Sequence, residues 1–365
     1  MLGPEIQFVD RDYILLNGRK LLYLAGIDYH RMSNNPMIVK AAAEAAEQFG
    51  LSATGSRTTT GNHSLYVQLE SSVSEYFASE GAVVLPSGYL SNTTVLQAIE
   101  SEYDSFFIDE KAHSSLFDAA NQFGKNIYRF RNLDVQSLEE QLKTNLSGNS
   151  KPLILTDGVF PAQGEIAPLK EYAEVIRNYG GKILIDDAHA MAVIGDTGKG
   201  SWEDQGIDRE CFYQTGTLSK GFGIGGGIIP ADSNLVEKIR KKSLAFIGCT
   251  GLALPLAAAA IKSISYFISN GNIISDLQKR SLALKHRFKD IGFLMPDTPT
   301  PIFSITFNDV EKNQRLRKRL IDNGIYPPFI NYPGAPSGGH FRFILTSCTT
   351  EDQENLLFKT VESSL

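Results

Sequence analysis

The run Lys182-Ile183-Leu184-Ile185-Asp186-Asp187-Ala188-His189 decides how the fold is read. Its first residues make a strand that is apolar on both faces. Such a strand needs a packed layer above and below it, as in the middle of a mostly parallel sheet. The strand stops in two carboxylates and a histidine, at the end where sheets of this kind bind ligands. Pro152-Leu153-Ile154-Leu155-Thr156-Asp157 repeats the pattern upstream. Working outward, β-rich runs at 82–85, 105–108, 126–130, 211–216 and 226–230 alternate with helical patterns at 95–101, 114–123, 135–144 and 169–179. That alternation predicts an α/β layered domain.

The rhythm changes after an apolar helix from 252 to about 269. A charged helix (273–291), a strand (302–307), a basic helix (311–323) and strands at 325–329 and 340–346 follow. The final helix, 351–365, is expected to be capped by Thr349 or Thr350. The reading is an N-terminal segment (1–40), a large α/β domain with a mostly parallel sheet (41–270) and a small C-terminal α+β domain (271–365).

Composition narrows the function. Of 365 residues, 42% are hydrophobic, and 35 Lys and Arg against 41 Asp and Glu leave a formal charge of −6. That balance is no footprint for nucleic acid or an anionic membrane. The longest apolar run, 252–261, is well short of the roughly 20 residues of a membrane span. Cys211, Cys249 and Cys348 have no metal-ligand spacing and suit a reducing cytoplasm. No secretion signal is read, so the Asn-x-Ser/Thr triplets at Asn62, Asn92 and Asn145 are taken as chance.

Polar or glycine-rich turns follow several strands: Pro86-Ser87-Gly88-Tyr89, Asp109-Glu110-Lys111-Ala112-His113, Asp186-Asp187-Ala188-His189 and Thr215-Gly216-Thr217-Leu218-Ser219-Lys220. Glycine before a helix lets backbone N–H groups approach a phosphate. A phosphate cradle, a strand-end acid, two histidines and a lysine among small hydroxyl residues fit pyridoxal 5'-phosphate. That cofactor needs a lysine for its Schiff base and an acid to keep its pyridine nitrogen protonated. The lysine must become neutral to act as nucleophile and base. Lys220 is assigned the first role and Asp186 the second. His189 is placed to reach the phenolic oxygen, and His113 to stack on the ring, with a structural or capping histidine as the alternative for each.

The same stretches resemble the α-oxoamine synthases, pyridoxal-phosphate enzymes that condense an amino acid with an acyl thioester. The likeness rests on Thr215–Lys220, Asp157-Gly158-Val159-Phe160, Gly164-Glu165-Ile166-Ala167-Pro168-Leu169, Asp186–His189 with Gly195, Gly198 and Gly200, and Gly55-Ser56-Arg57 through Leu65. It implies an aspartate-aminotransferase-type fold and a homodimer with shared active sites. It also implies that Gly88 and Tyr89 hold the phosphate through N–H groups. Thr217 would add a hydroxyl to the phosphate or to the adjoining turn. Thr250 would reach the partner's phosphate, and Arg342 would fork onto the substrate carboxylate. The substrates would be an amino acid and an acyl-CoA or acyl-carrier thioester.

Three positions depart from the family pattern. Ile27 stands for an asparagine, Pro161 for a serine, and Met191 lies in a usually smaller trio. They keep open an aminotransferase, lyase or decarboxylase on the same fold, and behind these a non-catalytic partner subunit. Gly221-Phe222-Gly223-Ile224-Gly225-Gly226 matches a dinucleotide fingerprint only in form, lacking the flanking strand and helix. The basic run 238–242 reads as a solvated helix face.

Overall fold

Runs that are apolar on both faces take the middle of the main sheet. The structure, a computed structural model, describes residues 3–307, 309–330 and 339–365. Strands β1 (Gln7–Phe8), β2 (Tyr13–Leu16) and β3 (Arg19–Leu22) form an antiparallel meander. Leu16 pairs with Arg19 across Asn17-Gly18, both at positive φ, the left-handed pair that a two-residue hairpin demands. Strands β4 (Gly81–Leu85), β5 (Ser105–Asp109), β6 (Asn126–Phe130), β7 (Pro152–Asp157), β8 (Lys182–Asp186), β9 (Phe212–Thr217) and β10 (Gly227–Ala231) build a seven-stranded sheet ordered β4-β10-β9-β8-β7-β5-β6. Only β10 runs antiparallel, to both of its neighbours. A third sheet, β11 (Ile302–Ile305), β12 (Phe329–Ile330) and β13 (His340–Ile344), is ordered β11-β13-β12.

Thirteen helices surround these sheets among the described residues. Helices α1 (Pro36–Phe49), α2 (Ser64–Phe77), α3 (Tyr89–Ile99), α4 (Ser114–Ala120), α5 (Val135–Asn145), α6 (Leu169–Arg177), α7 (Ser201–Gln205), α8 (Ser233–Lys242), α9 (Leu244–Ile247) and α10 (Leu254–Ser269) belong to the first three quarters of the chain. Then come α11 (Asn272–Asp290), α12 (Val310–Asp322) and α13 (Glu351–Glu362).

Strand alternation splits the core. Leu153, Leu155 and Leu184 pack with α3, α4 and α8 on one face of the main sheet. Ile154, Ile183 and Ile185 pack with α5 and α6 on the other. A further cluster joins Leu22, Leu24 and Tyr29 of the N-terminal segment to Phe288, Phe341 and Phe343, and to Val159 and Val193 beside the main sheet. Among the described residues no helix is long and apolar enough to cross a membrane.

Several expected elements differ. The helical pattern at 95–101 belongs to a helix that starts at Tyr89, directly after Gly88 and one residue before the start at Leu90 that the glycine turn suggests. The strand expected at 325–329 shrinks to Phe329–Ile330, because Pro327 and Pro328 lack the N–H that a ladder needs. Ile325 instead makes a lone parallel bridge with Leu22. The last helix ends at Glu362, and its cap is Thr350, which forms a capping box with Gln353. The glycine-rich run 221–226 leads from β9 into β10, with no helix behind it.

Register brings the site together. Asp157 pairs with Asp186, and Asp186 with Thr215, so three neighbouring strands end in polar side chains side by side.

Candidate active site

Asp186 ends β8 and is buried. Its Oδ2 accepts a 2.7 Å hydrogen bond from Asn92 Nδ2, and its Oδ1 a 3.0 Å bond from the Ala188 N–H. Asn92 lies on α3, one turn beyond Gly88, and its own oxygen accepts from Thr215 Oγ1 at 2.6 Å. The acid is therefore held in one orientation. Asn92, one of the triplets set aside as chance, is fully buried.

Lys220 follows β9 and is partly buried. Burial pushes its amine below the ordinary lysine value, while the charges of Asp186 and Asp157 oppose that shift. Asp157 takes the His113 N–H at 2.8 Å, and burial and the Asp186 charge push its carboxyl well above the usual range. Two carboxylates on adjacent strands thus stand beside one amine.

His113 is exposed and caps α4, its Nδ1 2.8 Å from Ser115 Oγ, with its ring edge-on to Tyr89 at 5.9 Å. His189 is buried, with Nδ1 2.6 Å from the Tyr29 hydroxyl. Burial, then the charges of Lys220 and Arg342, hold the His189 imidazole neutral, well below its ordinary pKa. Burial raises the Tyr29 phenol to about 12.

The turn between β4 and α3 lies against β9. A Cβ at Gly88 would come within 2.6 Å of Thr217 Cβ, so only glycine allows this approach. A Cβ at Gly227 would meet Ser87 O at 2.5 Å. The Thr217 hydroxyl donates to Gly226 O at 2.7 Å and lies 2.8 Å from Ser219 Oγ, so it is engaged with the adjoining turn. Tyr89 is half exposed, and its hydroxyl donates to Asp118.

Arg342, on β13, is buried. Its Nε donates to Pro161 O and its Nη1 to Gly26 O at 3.3 Å, while Nη2 is buried without a partner among the described residues. A buried guanidinium nitrogen without an acceptor leaves a donor that an anionic group can satisfy. Thr250 stands apart, exposed and bridged to Ser56. Ile27 is exposed, and Met191 fills the space beside Gly216, whose Cβ would meet the Met191 sulfur at 2.2 Å.

The residues fit a planar cationic heterocycle carrying a phosphate. A fixed carboxylate, a depressed amine, a neutral histidine and a glycine cradle at the N-terminus of α3 are present together. Tyr29, Asn92 and Ser115 carry no site role in the sequence reading, and Asp157 enters it only as the start of a family motif. Asn92 was legible in principle, four residues after Gly88 on one helix face. Tyr29 was not, since its partner lies 160 positions away.

Comparison with known proteins adds the relatives. The aminotransferase class I and II family model matches residues 19–359. The 8-amino-7-oxononanoate synthase of Symbiobacterium thermophilum is 31% identical over 349 residues, 95% of this chain and 89% of that one. That of Lysinibacillus sphaericus is 31% identical over 343 residues, 94% and 88% of the two chains. The Sphingomonas wittichii serine palmitoyltransferase superposes with a TM-score of 0.91 at 26% identity, over 100% of this chain and 92% of that one. The S. paucimobilis serine palmitoyltransferase, with a bound PLP–myriocin aldimine, gives 0.90 at 25% identity, over 99% and 92%.

Proposed function

The chain belongs to the aminotransferase class I and II family and, within it, to the α-oxoamine synthases; from that membership we propose that it is a pyridoxal-phosphate-dependent acyltransferase joining an amino acid to an acyl thioester. When bound, the cofactor accepts the electron pair left at the amino acid's α-carbon. Asp186, oriented by Asn92 and Ala188, keeps a proton on the pyridine nitrogen. Lys220 is the covalent anchor and, once released, the base that takes the α-proton. Its lowered pKa makes the neutral amine available for both tasks. His113 would cover the ring face, and His189, held by Tyr29 and neutral in its buried setting, would meet the phenolic oxygen. Gly88 and Tyr89 hold the phosphate through backbone N–H groups, and Thr217 holds the turn beside them. Arg342 Nη2 receives the substrate carboxylate.

The observation that carries this reading is the Asp186 carboxylate, fixed at the end of β8 by Asn92 and the Ala188 N–H, with the charges of Asp186, Asp157 and Arg342 acting on the Lys220 amine. Incubation with amino acids and acyl-CoA tests it. Release of free thiol that needs both substrates is expected, and is lost in Lys220→Ala. Keto-acid formation without thiol release would instead mark a transaminase.

The same reading makes the protein a homodimer, with Thr250, exposed on its own chain, serving the partner's site. It divides the chain into an N-terminal segment (1–40), a large domain (41–270) and a small one (271–365). Three unpaired cysteines fit a cytoplasmic setting.

A further inference from the structure

Lys285 is fully buried on α11, away from the reacting groups, and makes no ion pair among the described residues. Its Nζ lies 3.0 Å from each of three neutral oxygens: Thr298 O, Thr298 Oγ1 and Thr300 Oγ1. Both hydroxyls in turn donate to Gly164 O at 2.7 Å. The two hydroxyls also lie 3.1 Å apart, so each gives its one proton to Gly164 O or to its neighbour and is free to accept from Lys285. The Thr298 carbonyl only accepts. Three acceptors match the three donors of an ammonium, while burial pulls the Lys285 amine down to about 7. Burying an unpaired ammonium is unfavourable, and an apolar residue of similar length would fill this space without that penalty. Packing does not explain the lysine.

The hydrogen bonds lead to the active site. Gly164 closes a turn on Phe160 (N–H to O, 3.0 Å) at φ +78°, where a Cβ would sit 2.3 Å from Thr300 Oγ1. Ser304 Oγ donates to Ala162 O at 2.6 Å, and Arg342 Nε to Pro161 O. The Pro161, Ala162 and Gly164 carbonyls of one turn are thus held by side chains from the C-terminal part. Proline at 161 stiffens the turn, and its carbonyl, with Gly26 O, aims the guanidinium.

We propose that Lys285 is a positioning residue for amino-acid recognition: through Thr298 and Thr300 it fixes the 160–164 turn, whose Pro161 carbonyl aims Arg342 Nη2 at the substrate carboxylate. The inference rests on the reading of Arg342 given above. Arg342 would meet the carboxylate through charge-assisted hydrogen bonds, which weaken steeply when the guanidinium is misaimed.

The test uses the pyridoxal-phosphate-loaded protein and follows the cofactor spectrum. Glycine, L-alanine and L-serine are titrated against methylamine, ethylamine and ethanolamine, which lack the carboxylate. Lys285→Met and Thr300→Val are expected to weaken the amino acids about tenfold and to leave the amines and cofactor affinity unchanged. Thr300→Ser, which keeps the hydroxyl, should behave as the wild type. In cofactor-free protein, the Gly164 amide should exchange faster in both weakened variants. If Lys285→Met does not fold, the Thr300→Val and Thr300→Ser pair carries the same reading. Equal weakening of amines and amino acids, or no change in either, overturns the proposal where Arg342→Ala still weakens the amino acids alone. Amino-acid binding that survives Arg342→Ala removes the role of Arg342 itself, and this inference with it.

Discussion

At Lys220 two opposing effects set the charge. Burial favours the neutral amine, and the carboxylates of Asp186 and Asp157 favour the ammonium. Burial prevails, so competitive acylation of the cofactor-free protein should titrate Lys220 with a midpoint below the ordinary 10.5. Asp157→Asn removes a carboxyl that, once ionised, stabilises the ammonium, so the midpoint should fall further. A rise in that variant would show that Asp157 does not act on Lys220 through its charge. Lys220 and Asp186 were legible because each ends a recognisable strand in a polar turn. Asp157 has the same sequence setting, but its meaning comes from register, which pairs it with Asp186 across two strands.

Among the elements, the strand–turn–helix from β4 to α3 does the positioning, because it carries both the cradle glycine and Asn92. Gly88→Ala puts a methyl group 2.6 Å from Thr217 Cβ and forces the turn off β9. Equilibrium dialysis should show cofactor affinity falling at least about tenfold, since a displaced cradle loses its phosphate contacts. Unchanged affinity would free Gly88 from the role. In α13, Thr350→Ala removes the capping box and should lower unfolding free energy by about 1 kcal/mol in urea titrations. Buried strands announce themselves as apolar runs, so the main sheet was readable almost to the residue. The N-terminal meander was not read, although Asn17-Gly18 is a hairpin signal, because its strands are short and mixed in polarity. The short β12 was overestimated because two prolines interrupt an otherwise β-rich run.

At the scale of the whole molecule, the two ends of the chain meet. The Leu22 N–H donates to Gly324 O at 2.7 Å and the Ile344 N–H to Leu24 O at 2.9 Å, which ties the N-terminal segment to the third sheet. This long-range closure is invisible to local pattern, and it places Tyr29 and Gly26 at the site. Sharing of sites between two copies has its own test. Subunits carrying Lys220→Ala and subunits carrying Thr250→Ala, each impaired alone, should regain activity when refolded together, because one site of the hybrid dimer is then intact. Persistent inactivity of the mixture would confine each site to one chain. The most direct measurement of all is borohydride reduction of the pyridoxal-phosphate-loaded protein, followed by peptide mass spectrometry. A single pyridoxyl group on Lys220, absent when Asp186→Ala has abolished cofactor retention, is the predicted result. Label on another lysine, or none on the wild-type chain, would contradict the account.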